Sequence, residues 1–106
     1  MSTPYATVIT TCGTRREAEM IAERLVGERL AACVQMLAID SMYRWQGEIE
    51  KAGEWLLLCK VRASDYSKVE AEIRKVHSYK TPEIIEIAIE NGAADYLDWI
   101  RTSTGR

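Results

Sequence analysis

Ala31 to Val61 reads AACVQMLAIDSMYRWQGEIEKAGEWLLLCKV, and its two halves alternate as strands. Leu37, Ile39, Tyr43 and Trp45 fall on one side of an extended chain, with only Ser41 interrupting the apolar series, because strand side chains alternate with period two. Trp55, Leu57, Cys59 and Val61 repeat the pattern on the return. Leu56 and Leu58 make the middle of that second half apolar on both sides, as expected of a strand covered on both faces. The turn falls within Tyr43 to Ile49, and Gly47 supplies it. Strands rise ~3.3 Å per residue, so arms this long would overhang the end of a small domain. The overhang is expected to dock on another copy of the chain.

Working outward, the 106 residues are expected to form one domain, 1–106, near the size at which one core supports folding and association helps it. No signal-peptide pattern or membrane-length apolar run is present, which places the expected location in the cytoplasm and predicts no membrane partner. A net charge of −2 provides no broad cationic field for a phosphate backbone, so nucleic acid is not an expected partner. An RNA-binding sheet would also need aromatic motifs and basic flanks, and neither stands on the central strands. Cys12, Cys33 and Cys59 are odd in number and widely spaced, and read as reduced thiols in or beside strands, with Cys33 and Cys59 as small core residues.

Tyr5 to Thr11 is rich in β-branched residues and predicts the first strand, closed by Gly13. Thr14 and Glu17 have capping-box spacing, so helix starts there. Ala18, Ile21, Ala22, Leu25 and Val26 form its apolar stripe, and Gly27 closes it. A second helix begins at Ser64 and Asp65, carries Tyr66, Val69, Ile73 and Val76 on one face, and runs to about His77. Thr81-Pro82 ends helical geometry. Glu83 to Glu90 then predicts a strand with Ile85, Ile87 and Ile89 on one face. Tyr96 to Ile100 forms a short last helix, and Thr102 to Arg106 reads as a frayed tail.

Strand, helix, two strands, helix and strand make the split βαβ, ferredoxin-like α+β arrangement, here with a long hairpin and a C-terminal helix. Both main helices occupy one sheet face. The other face carries apolar residues, so assembly through the sheets as a closed ring is expected.

Four segments together resemble the CutA family of divalent-cation tolerance proteins: Ala31-Ala32-Cys33-Val34, Tyr43-Arg44-Trp45-Gln46-Gly47, His77-Ser78-Tyr79-Lys80-Thr81-Pro82-Glu83-Ile84-Ile85 and Tyr96-Leu97-Asp98-Trp99-Ile100. The resemblance implies a ferredoxin-like protomer, a homotrimer built by packing hairpins on neighbouring sheets, a cytoplasmic location and a link to copper and other divalent metals. It also implies kinship with PII-like signalling trimers, which bind small effectors in clefts between subunits. Copper ligands proposed in the family include a Cys near the end of the first strand and one or two His before the His-x-Tyr segment. Here the Cys position aligns with Thr10, Cys12 follows two residues later, and His77 has Val76 beside it in place of a second His. The Pro-Gly of many relatives is replaced by Ala38-Ile39.

The candidate metal ligands are therefore His77 and Cys12, joined by a carboxylate or by symmetry copies, since thiolate and imidazole suit copper. His77 reads first as the residue that fixes the loop before Pro82 through a hydrogen bond, and second as a ligand. The candidate effector residues are Trp45, Lys60, Tyr79 and Glu83. Lys60 stands in an apolar strand and needs a partner if buried, which Glu83 could supply. Trp45 and Tyr43 read first as interface anchors. Catalysis is not expected, because neither a GxSxG motif nor a glycine-rich phosphate loop occurs; an enzyme would have to use His77 as acid or base near Tyr79, Lys60 and Glu83.

Overall fold

The chain runs β1 (Tyr5–Cys12), α1 (Arg15–Gly27), β2 (Ala31–Trp45), β3 (Glu48–Arg62), a 3-10 turn (Ala63–Asp65), α2 (Tyr66–Val76), β4 (Ile84–Ala88) and α3 (Ala94–Ser103). This computed structural model describes residues 3–106; Met1 and Ser2 of the expected domain lie outside the described residues. The four strands are antiparallel in the order β2-β3-β1-β4, which is the ferredoxin-like order expected from the pattern. Ile21 and Leu25 of α1 and Val69 and Ile73 of α2 pack on Val8, Leu57, Cys59 and Val61 in one core cluster. That cluster lies between the helices and one sheet face.

The hairpin turns on two residues, Gln46 (φ 49°) and Gly47 (φ 83°). Positive φ at both central positions matches the right-handed twist of the flanking strands. The sequence reading anticipated the role of Gly47 and missed that of Gln46. β1 pairs with β3 only over Trp55 to Arg62, so the distal half of the hairpin has no third strand beside it. The longest molecular axis is accordingly 44 Å and the radius of gyration 14.3 Å, above the ~13 Å of a compact chain of this length.

A register shift between Ala31 and Cys33 corrects one expectation. Ala31 pairs with Val61 and is buried, yet Cys33 pairs with Lys60, one residue out of step. The extra residue turns Cys33 to the face opposite the core, so it is half-buried rather than a core residue. Other corrections are local. Val26 is exposed. The left-handed residue ending α1 is Arg29 (φ 59°), two residues beyond Gly27, and the Leu30 N–H donates to the Leu25 carbonyl at 2.9 Å. β4 is shorter than the predicted Glu83 to Glu90. The tail is not frayed: Arg106 donates to both carboxylate oxygens of the buried Asp65, at 2.8 and 2.7 Å, and to the Arg29 carbonyl at 2.6 Å.

α3 occupies one end of the sheet face that α1 and α2 leave uncovered. Tyr96 Oη lies 3.6 Å from Cys33 Sγ, and Arg62 donates to Thr104 Oγ1 at 2.8 Å and to the Arg101 carbonyl at 2.7 Å. The rest of that face stays uncovered in the protomer.

Candidate functional site

The His77 to Glu83 segment joins α2 to β4 without regular structure, and its first residues are tied down by side chains. Thr14 Oγ1 accepts from the Glu17 N–H at 3.1 Å, which is half of the predicted capping box. The Glu17 carboxylate does not return to Thr14. It accepts instead from the Ser78 N–H at 2.6 Å and from Ser78 Oγ at 3.0 Å. The spacing marked Glu17 as special, but its partner is 61 residues away.

His77 is buried between these groups, its side chain 0% exposed. Nε2 lies 2.7 Å from the Thr11 carbonyl oxygen, which can only accept, and Nδ1 lies 3.0 Å from the Tyr79 N–H, which can only donate. The neutral tautomer with its proton on Nε2 satisfies both. Neither ring nitrogen keeps a free lone pair. The Glu17 carboxylate is 3.7 Å from Nδ1.

Cys12 is buried near the same end of β1, and its thiol donates to the Thr14 carbonyl at 3.5 Å. Burial, and after it the nearby Glu17 carboxylate, push its pKa up to about 11. At neutral pH the thiol form is favoured, so a metal ion bound there would have to displace its proton. Tyr79 donates to Glu54 Oε2 at 2.9 Å, and burial together with that carboxylate pushes its pKa up to about 12. His77, Cys12 and Tyr79 are thus gathered at one end of the sheet. Among the described residues no group of three His, Cys, Asp or Glu side chains is placed to hold a metal ion. Within one protomer these residues do not fit one.

The other effector candidates are not gathered there. Trp45 is 57% exposed at the hairpin tip. It pairs with Glu48, twelve residues along β3 from Lys60, a separation of ~40 Å at 3.3 Å per residue. Glu83 is exposed just before β4 and forms no ion pair with Lys60. The partner of Lys60 is Gln35, whose Oε1 accepts from Nζ at 2.7 Å. Gln35 is a site residue that the sequence reading missed; the only signal for it was the register. Across the sheet, Ile87, Thr7, Lys60 and Cys33 form one row on the uncovered face.

The uncovered face is apolar in the hairpin and in β4. Ile85 is 47% and Ile87 49% exposed, and Leu37, Tyr43 and Trp45 continue the patch along the arm. Met42 and Ile49 stand exposed on the opposite face of the same arm.

The family model described as CutA1 divalent ion tolerance protein matches residues 6–103. The chain belongs to the CutA family. It is 45% identical over 84 residues to the divalent-cation tolerance protein CutA of Archaeoglobus fulgidus, covering 79% of this chain and 82% of that one. Identity to the CutA of Thermus thermophilus is 41% over 99 residues, 92% of this chain and 96% of the relative. The crystal structure of CutA from Xylella fastidiosa superposes with a TM-score of 0.94 at 38% identity, covering 97% of this chain and all (100%) of that one. This CutA chain thus shares a fold with solved relatives as well as sequence.

The buried thiols give this CutA an alkaline limit. Cys59 is pushed up to about 12 by burial, as Cys12 is to about 11, both from an ordinary value of 9.0. A raised folded-state pKa contributes stability below the unfolded value and loses it as pH rises through the folded one. Urea midpoints are expected to show no pH dependence from these thiols between pH 6 and 8, where their contribution is complete, and a decline from about pH 9 toward 12. Thiol reagents at pH 8 should leave Cys12 and Cys59 unmodified until the protein unfolds.

Proposed function

We propose that this chain acts as a homotrimeric, cytoplasmic divalent-metal tolerance protein that binds copper, another divalent ion or a small effector in clefts between copies. The observation that carries the reading is the hairpin arm with apolar residues exposed on both faces, Tyr43 and Trp45 on one and Met42 and Ile49 on the other. A twofold contact would bury the same patch on each copy, whereas two different faces on one arm suit a head-to-tail contact that closes into a ring. Three is the number that the resemblance to CutA proteins implies. Three free cysteines suit a reducing compartment.

Binding between copies is favoured because the candidate groups are divided within one. Trp45 and Lys60 stand at opposite ends of the hairpin and can meet only if one copy's tip lies on another's sheet. A metal ion likewise needs ligands from more than one copy, since no group of three His, Cys, Asp or Glu side chains among the described residues of one protomer is placed to hold it. The hydrogen bonds to Thr11 and Tyr79 leave His77 no free lone pair for acid–base work, so a binding role is proposed over catalysis.

Equilibrium dialysis with copper tests this. Wild type is expected to take up copper saturably, His77→Ala to take up the same amount, and a monomeric Ile87→Asp variant to take up none. Equal uptake by the monomer would overturn a site between copies, and reduced uptake by His77→Ala would return His77 to the ligands.

A further inference from the structure

Lys60 is the one charged residue in its row across the uncovered face, and the next row holds Ile85, Ile9 and Leu58 beside Gln35. None of the ion pairs among the described residues includes it. Its one hydrogen bond goes to a neutral amide oxygen. Arg62, the next cation on the same face, is already held by α3 through Thr104 and the Arg101 carbonyl. A second copy closing over Ile85, Ile87 and Leu58 would strip water from an ammonium with no counter-charge, which is unfavourable unless an anion comes with it.

The groups around Lys60 are donors. An ammonium has three N–H bonds and Gln35 uses one. The Gln35 amide nitrogen remains a donor once its oxygen is engaged. The Thr7 hydroxyl belongs to the residue directly across the ladder from Lys60. On the other side Cys33 brings the Tyr96 hydroxyl to the same patch.

We propose that Lys60, with the Gln35 amide and the Thr7 hydroxyl, holds a small oxyanion, a phosphate or carboxylate group, where a neighbouring copy closes over the sheet. The proposal rests on the assembly reading above and names the effector's chemistry. The oxyanion neutralises the Lys60 ammonium, so its binding stabilises the assembly by mass action.

The test uses the full chain in phosphate-free chloride buffer, titrated calorimetrically with inorganic phosphate and, separately, with succinate, and sedimented from the same samples. Wild type is expected to bind at least one of them saturably and to melt at higher temperature when loaded. Phosphate alone, succinate alone or both identifies the preferred group. Lys60→Met should weaken binding at least about tenfold, as should Gln35→Glu, which keeps the cation and gives it an internal carboxylate. No saturable binding by a wild-type trimer overturns the oxyanion site and leaves the assembly standing, with a neighbour's carboxylate as the counter-charge. Equal binding by both variants also overturns it. A monomer that binds through Lys60 keeps the site and removes the assembly reading; a monomer that binds neither anion removes both.

Discussion

Ile87→Asp is expected to sediment as a folded monomer under conditions in which the wild type is expected to sediment as a trimer. Ile87 is 49% exposed in the protomer and stands beside Thr7 on the edge strand of the uncovered face, so the variant leaves the helix-side core untouched. Its cost to the isolated fold is about 1 kcal/mol, the span of strand preferences. Its cost to the assembly is much larger. Burying an isoleucine contributes ~1.5–3 kcal/mol, and a carboxylate in its place must be desolvated against apolar neighbours. Association should weaken by at least about 100-fold, which is ~2.8 kcal/mol. Far-UV circular dichroism unchanged from wild type would show that the monomer is folded. A variant that sediments with the wild type would mean that this face is not shared, and a monomeric wild type would remove the intersubunit clefts altogether.

Leu57→Ala, measured in the Ile87→Asp background so that dissociation does not enter the denaturation curve, is expected to lose about 2–5 kcal/mol. Leu57 is fully buried on the central strand, between α1 and α2 and the sheet. A domain of this size is stabilised by ~5–15 kcal/mol in all, so this one truncation removes a large share. Leu56, its neighbour in sequence, points to the other face and is half-buried. Leu56→Ala should therefore cost the monomer less and the trimer more. A loss below about 1 kcal/mol for Leu57→Ala would place the core elsewhere.

The contrast between Leu56 and Leu57 shows what kind of information the chain carries. Period-two alternation told that two faces of one strand were apolar, and the structure has Leu57, Cys59 and Val61 under the helices with Leu56 and Leu58 opposite. The capping threonine, the amphipathic stripes and the glycine of the turn were equally legible, because each is a local pattern read within a few residues. The site was less legible. Lys60 was recognisable as a cation in an apolar strand, but its expected partner, Glu83, was chosen by chemistry alone. The ladder register, with its extra residue at Ala32, brings Gln35 to it instead.

Element order, the faces of the strands and family membership were thus determined by the sequence itself, since hydrophobic period and turn chemistry act over short distances along the chain. Tertiary structure alone decided that Glu17 clamps Ser78, that both nitrogens of His77 are hydrogen bonded, that Cys33 faces away from the core and that Arg106 closes on Asp65. Each of these depends on a pairing between distant residues or on a one-residue shift in a ladder. No periodicity records either, because both are settled only when the packed elements fix which backbone groups stand opposite one another.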